Sequence, residues 1–192
     1  MKTKTRYDKI LVVDVEATCW DGKSPQGQYN DITEVGIAVL DLKTMEITQP
    51  IRELLVKPTT SEISDFCEGL TGITQEMVDE RGVTFKDACK HIRDMKSREY
   101  VWCSWGEYDR KQFERQCARE DVSFPWGRTH FNTKSEFARY MRLDRELGVP
   151  QALELIGESF DGSHHRGNDD ALNIAKLLRH IMCQDYTKYQ GR

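Results

Sequence analysis

The sequence has no apolar run near the roughly 20 residues that a membrane-spanning helix needs. The first eight of its 192 residues are polar and basic, and the apolar stretch behind them contains Asp14 and Glu16, which excludes a signal peptide. The six cysteines form no CxxC pair, so neither a zinc knuckle nor a disulfide framework is indicated. We therefore expect a reduced, cytoplasmic protein without a membrane partner.

Positive charge is also scarce. The net charge is −4, whereas proteins that coat long nucleic acids usually carry a basic surface. An enzyme that holds a few nucleotides at a chain end, with metal ions as its main positive charge, is still compatible. With 38% hydrophobic residues and no internal repeat or linker, residues 1–192 are predicted to form one domain, ordered over about 7–185.

Five strands are predicted from the hydrophobic pattern. Residues 9–15 are apolar on both alternating faces, which is typical of a central strand covered on both sides. Segments 32–42 and 45–56 follow, joined by a turn at 41–44 that indicates a hairpin. The last two strands are predicted at 100–105 and 129–132.

Helices are predicted between and after these strands. The expected ranges are 61–67, 74–79, 84–95, 107–119, a helix ending near 147, 151–158 and 168–183. A hairpin followed by β-α-β units predicts an α/β fold, with a mixed five-stranded sheet flanked by helices on both faces.

Asp14 and Glu16 are two residues apart at the end of the central strand, so both side chains leave the same face. Two adjacent carboxylates are unfavourable unless a cation lies between them, and this end of an α/β sheet is where ligands bind. The alternative is a strand-end cap beside a solvated glutamate.

Asp170 heads the apolar stripe of the last helix, in line with Ile174 and Leu177. Asp169 is predicted to point instead onto the polar face, together with Asn173, Lys176 and His180. Acidic decoration of a helix N-terminus is the alternative, and it explains Asp169 better than Asp170.

Asp109 lies in the first turn of its helix, on the same face as Phe113 and Cys117, so it is predicted to point inward. A buried acid needs a partner. Two histidines, His164 and His165, lie in the glycine-flanked loop GSHHRG, where a surface role is the alternative to a catalytic one.

Together these motifs resemble the DEDDh exonuclease family. The resemblance rests on D-x-E at 14–16, Asp109, and H-x4-D at 165–170, and it covers nearly the whole chain. Its branch resembles the histone-mRNA 3′-exonucleases and the sporulation-inhibitor exonucleases. The segments that carry it are VVDVEATCW (12–20), ITEVG (32–36), SDFCEGLTGIT (64–74) and HHRGNDDALNIA (164–175).

The resemblance implies an RNase H-like fold and a two-metal 3′-to-5′ exonuclease that releases nucleoside 5′-monophosphates. Asp14, Glu16 and Asp170 would hold one Mg²⁺ or Mn²⁺, and Asp14 with Asp109 would hold the second. Two such cations can stabilise both the attacking and the leaving oxygen. His165 would take the proton from the attacking water.

The resemblance also implies a site for the 3′ end. The backbone of Ala17 and Thr18 would meet the terminal ribose, Phe66 would border its base, and Tyr108 would stack on that base where relatives have Trp. For Phe66 the alternative is a core aromatic. Glu34 matches a recurring glutamate, and we expect it to support the metal ligands.

The expected substrate is a single-stranded or 3′-overhanging end, with RNA favoured over DNA. Two alternatives keep the chemistry: a DNA 3′-to-5′ exonuclease and an oligonucleotide phosphodiesterase. A non-catalytic regulatory adaptor is the third. Because the first strand begins so early, we expect no accessory nucleic-acid-binding domain before it.

Overall fold

The computed structural model describes residues 5–189, and side chains up to residue 183. Its centre is a five-stranded sheet in the order β3-β2-β1-β4-β5. Strand β1 (Arg6–Ala17) pairs antiparallel with β2 (Ile32–Asp41) and parallel with β4 (Tyr100–Ser104). Strands β3 (Ile47–Thr48) and β5 (His130–Asn132) form the edges. The prediction of a mixed sheet with a central first strand is confirmed.

Within residues 5–189, seven α-helices connect and cover the strands. They are α1 (Asp65–Thr71), α2 (Gln75–Arg81), α3 (Phe85–Asp94), α4 (Tyr108–Glu120), α5 (Thr133–Met141), α6 (Val149–Leu155) and α7 (Gly167–Tyr189). A short 3-10 helix at Ser97–Glu99 precedes β4. The first three helices begin after Ser64, Thr74 and Thr84, whose hydroxyl oxygens accept hydrogen bonds from backbone N–H groups in the first turn.

Two predicted elements are shorter than expected. The third strand keeps only two of its twelve predicted residues, because Pro50 cannot donate to a sheet; Leu55 and Val56 form single bridges instead. The helix expected to reach residue 147 ends at Met141, where Arg142 takes a left-handed φ of 55°.

Each face of the sheet carries its own core, which confirms helices on both sides. Leu11, Val13 and Val15 pack in one cluster with residues of α3 and α4. Ile10 and Val12 pack in the other with residues of α5, α6 and α7. Asp14 and Glu16 are in the same alternating register as Ile10 and Val12, so their side chains leave β1 on the side covered by α7.

The start of α7 lies directly against β2. A Cβ on Gly36 would overlap the carbonyl of Gly167, so only glycine permits this approach. Gln49 adds a second tie by donating from Nε2 to the carbonyl oxygen of Asn168 at 2.6 Å. These contacts place the first turn of α7 beside the end of β1.

Within the described residues, no helix is both long and apolar enough to span a bilayer. All six cysteines are free thiols, and four of them are buried.

Candidate active site

Three carboxylates meet where β1 ends and α7 begins. Carboxylate oxygens of Asp14, Glu16 and Asp170 all lie within 4.8 Å of one another. Asp170 is 4% exposed and comes from the first turn of α7, whereas Asp14 and Glu16 are half-buried. The end of β1 and the first turn of α7 therefore form a compact acidic cluster. Asp170 follows Asp14 and Glu16 by more than 150 positions in the sequence.

Asp109 approaches the same strand end from α4. It is 4% exposed, and its Oδ1 accepts the backbone N–H of Val15 at 3.0 Å. Asp109 therefore points inward, as its helix phase predicts, and it lies beside the three-acid group rather than within it.

The acids disfavour one another's charge. Burial, reinforced by neighbouring carboxylates, raises the pKa of Asp14 well above its usual range and that of Glu16 to about 8. Burial raises the pKa of Asp170 to about 7 and that of Asp109 to about 6, although backbone N–H groups oppose both shifts. A cation at this position would relieve the repulsion.

The donor set fits a hard divalent ion. Every candidate ligand is a carboxylate oxygen, which suits Mg²⁺ or Mn²⁺ better than softer metals. No His or Cys belongs to this three-residue group.

Glu34 lies behind the cluster and holds the start of α7. It is 1% exposed, pairs with Glu16 across the sheet, and accepts the N–H of Gly167 at 2.9 Å. Arg166 donates to both of its carboxylate oxygens at 3.1 Å. Glu34 thus joins β2 to the histidine-bearing loop.

Arg166 is the residue that sequence reasoning missed. The available signal was Glu34 itself, because a glutamate in a buried strand needs a positively charged partner. The position of that partner, 132 residues along the chain, is not visible in any local pattern.

The two histidines share Asp170 in a way that spacing did not predict. The backbone N–H of His165 donates to Asp170 Oδ2 at 2.7 Å, with His165 in a left-handed conformation at φ 67°. The ring nearer the acid is that of His164, whose Nε2 lies 3.6 Å from Asp170 Oδ1. The ring centroids are only 3.9 Å apart, and burial lowers the pKa of both imidazoles. The assignment of the base to His165 stays a prediction.

The predicted polar face of α7 is wrong at one position, Asn173. Asn173 is fully buried, and its side chain bonds the backbone of Asp161 and Asp169, so it anchors the preceding loop. Asp169 accepts the N–H of Ser163 at 2.8 Å and stays outside the acidic cluster.

Thr18 is held by many contacts. Its backbone N–H donates to Asp31, its carbonyl accepts from Asn30, and its hydroxyl contacts the Asp31 N–H and Ser61. Ala17 is buried, and its carbonyl accepts from the thiol of Cys67. The contact predicted between the backbone of these two residues and a terminal ribose stays a prediction.

Phe66 and Tyr108 are exposed aromatic residues. Phe66 is 45% exposed and Tyr108 is 49% exposed, so the interpretation of Phe66 as a core residue is wrong. Phe66 belongs to α1, and Ser64 at the start of that helix donates a hydrogen bond to the carbonyl of Cys19. Tyr108 directly precedes Asp109 in α4. Both belong to elements fastened next to the end of β1.

This mixed sheet with helices on both faces is an RNase H-like fold. The chain resembles the crystallographic structure of the nuclease domain of 3′hExo, a DEDDh family member, bound to rAMP. The TM-score is 0.82 at 31% identity, over 95% of this chain and 94% of that one. A 3′-exonuclease structure described as showing 3′-end-specific recognition of histone mRNA stem-loop matches at a TM-score of 0.79 and 28% identity, over 95% of this chain and 66% of that one.

Sequence comparison identifies the family. The exonuclease family RNase_T matches residues 11–178, and this chain therefore belongs to that family and to its DEDDh type. The 3′-5′ exoribonuclease 1 of Rattus norvegicus is 32% identical over 181 residues, which are 89% of this chain and 52% of the relative. The probable 3′-5′ exonuclease KapD of Bacillus subtilis is 29% identical, over 90% of this chain and 83% of the relative.

The chain spans about half the length of the mammalian relatives that it matches. The resemblance predicted from the four sequence segments is confirmed, including its RNase H-like fold. Nucleases of this family use divalent metals, in keeping with the acidic cluster at the end of β1.

Proposed function

We propose that this protein is a metal-dependent 3′-to-5′ exonuclease that removes nucleoside 5′-monophosphates from single-stranded or 3′-overhanging ends. The observation that carries the proposal is the meeting of Asp14, Glu16 and Asp170 within 4.8 Å, in a chain of the exonuclease family. Such a cluster has little use in a non-catalytic adaptor, because its charges repel one another.

Two divalent ions, Mg²⁺ or Mn²⁺, are the proposed cofactors. Asp14, Glu16 and Asp170 would hold one ion, and Asp14 with Asp109 would hold the other. When bound, such ions place positive charge against the attacking and leaving oxygens of the phosphodiester. Excess chelator should abolish activity and added Mg²⁺ or Mn²⁺ should restore it; full activity in chelator would contradict the proposal.

His165 is the proposed general base. A near-neutral imidazole can take a proton from water, and the hydrogen bond from its backbone to Asp170 keeps His165 at the acidic cluster. His164 is the competing candidate, because its ring lies closer to Asp170.

The terminal nucleotide is proposed to lie beyond β1, with its ribose against Ala17 and Thr18 and its base between Phe66 and Tyr108. The exposure of both aromatic rings supports this placement. Stacking on an aromatic ring accepts any base, so we expect little base preference.

End recognition is tested with 5′-labelled RNA that carries a 3′-hydroxyl or a 3′-phosphate. The 3′-hydroxyl substrate should give a ladder of shortened products, and the 3′-phosphate should inhibit strongly through its charge and bulk. Equal degradation of both, or internal cleavage of a circular RNA, would identify an endonuclease.

RNA is the proposed preference, supported by relatives whose names describe exoribonucleases and by the histone mRNA stem-loop in one related structure. Matched RNA, DNA and dinucleotide substrates separate this proposal from a DNA exonuclease and from an oligonucleotide phosphodiesterase. A higher kcat/KM on DNA or on the dinucleotide would favour the respective alternative.

We also propose that residues 1–192 act as one exonuclease domain, ordered over about 7–185, in the reducing cytoplasm. The match over residues 11–178 supports the first proposal and the six free thiols support the second. Limited proteolysis and cell fractionation would test them, and an early cut between two stable fragments would contradict the single domain.

A further inference from the structure

A groove runs between α4 and the loop that follows β1. Residues 108, 112, 115 and 119 share one face of α4 because they are spaced by three or four positions. The groove encloses about 540 Å³ and is lined by residues that include Tyr29, Asn30, Gln112, Arg115 and Arg119. The α4 part of its lining, from Gln112 to Arg119, spans about 10 Å along the helix.

This α4 groove is built on the end of β1. Gln112, which is 1% exposed, donates to the carbonyl of Asn30 at 2.6 Å and accepts from Arg115 at 2.7 Å. Asn30 in turn donates to the carbonyl of Thr18 at 2.5 Å. The groove and the proposed ribose contact are therefore parts of one hydrogen-bonded unit.

Arg115 and Arg119 line the groove, and each lies near a tyrosine ring. The guanidinium carbon of Arg115 lies 5.9 Å from the Tyr108 ring centre, and that of Arg119 lies 5.4 Å from the Tyr29 ring centre. Buried Asp31 neutralises Arg119. Among the side chains that the structure describes, Arg115 hydrogen-bonds to a neutral amide and forms no ion pair, so its charge is available to a ligand.

We infer that the α4 groove is a second nucleotide-binding subsite, which takes a nucleotide of the single-stranded substrate next to the one between Phe66 and Tyr108. Tyr29 is 56% exposed and offers a face for base stacking. The guanidinium of Arg115 has the shape and charge to bind a phosphate.

The subsite would also provide positive charge for a polyanionic substrate. The protein has a net charge of −4 and an acidic catalytic cluster, so a polyanionic strand needs local positive charge near its path. Arg115 supplies that charge beside the proposed pocket for the terminal base. The inference rests on the proposed exonuclease function and adds a subsite to the same strand.

Binding without cleavage provides the test. The Kd of a labelled single-stranded RNA of about twelve nucleotides is measured in chelator for the wild type, Tyr29→Ala, Arg115→Gln and Lys90→Gln. Tyr29→Ala should raise the Kd about tenfold, which corresponds to the loss of one stacked base. Arg115→Gln should reduce the slope of log K against log salt by about 0.7, as expected for one lost phosphate contact. Lys90→Gln, on the exposed face of α3 and outside the groove lining, should change neither quantity.

A nucleoside 5′-monophosphate serves as the short probe, because it can occupy only one subsite. Its Kd should rise far less than that of the long RNA in both groove variants. Equal weakening of both ligands would show that the variants act through Tyr108 or Thr18, and unchanged binding of the long RNA would show that the groove is not used; either result overturns the inference. A wild type that binds RNA tightly but never shortens it with metal present would instead refute the proposed function.

Discussion

Asp14 and Asp170 are the residues whose loss should be most severe, because each contributes oxygen to the three-acid cluster. We expect Asp14→Asn and Asp170→Asn each to reduce kcat by more than about 100-fold. Mutating a residue that only supports a metal ligand typically costs about 10–100-fold, and the loss of a ligand itself should cost more. Asp169→Asn is the matched control, since Asn keeps an oxygen for the Ser163 N–H outside the cluster. A crippled Asp169→Asn enzyme with an active Asp170→Asn enzyme would reverse the assignment.

The neighbouring histidines are distinguished by paired substitutions. His165→Asn should slow turnover by about 10²–10⁴-fold, the usual cost of losing a general base, with little change in metal affinity. His164→Asn should have a small effect. Single-turnover rates at saturating metal measure both. A larger loss in His164→Asn would assign the base to the ring that lies 3.6 Å from Asp170.

At the scale of elements, the pair formed by Glu34 and Arg166 holds the start of α7 on β2. Arg166→Gln would leave the buried Glu34 carboxylate without its cation. Because Arg166 is about a quarter exposed, we expect a loss of about 2–3 kcal/mol, between the values for surface and buried pairs. We also expect kcat to fall while KM changes little, because the loop that carries the histidines loses its anchor.

Arg6→Gln is the control, since it breaks an exposed arginine–aspartate pair with Asp8 at 2.7 Å at the far end of β1. Its stability and kcat should stay near wild type. The double variant Glu34→Gln with Arg166→Gln should be more stable than Arg166→Gln alone, because no buried charge is left unpaired. Urea denaturation and steady-state kinetics measure these effects, and an equal loss in Arg6→Gln would contradict a specific role for Arg166.

At the scale of the whole molecule, the acidic cluster makes stability depend on pH when metal is absent. The folded protein holds Glu16 with a pKa of about 8 and Asp170 with a pKa of about 7, above the usual value near 4 in the unfolded chain. Between pH 4 and 8 the folded state therefore binds more protons, so its free energy of unfolding decreases as the pH rises through this window.

The measurement is the Tm in chelator and in Mg²⁺ at several pH values between 5 and 9. In chelator the Tm should fall from pH 6 to pH 8, whereas Mg²⁺ should stabilise the protein increasingly over the same interval as the acids lose their protons. Asp170→Asn removes one charge and should flatten the fall in chelator. A metal-free Tm that rises between pH 6 and 8 would show that the pKa values of these acids are not raised in the folded protein.

Local patterns in the sequence determined most of the scaffold and the acidic residues on it. Alternation identified β1 and placed Asp14 and Glu16 on one face, and helical phase pointed Asp109 and Asp170 inward; such patterns need only neighbours along the chain. The resemblance to the exonuclease family supplied the proposed function.

The tertiary structure decided what depends on partners far along the chain. It paired Glu34 with Arg166, buried Asn173 against the loop before α7, and brought the ring of His164 rather than His165 closest to Asp170. It also formed the α4 groove by packing loop 18–30 against α4. These contacts follow from how the two faces of the sheet are covered, and no hydrophobic period along the chain encodes them.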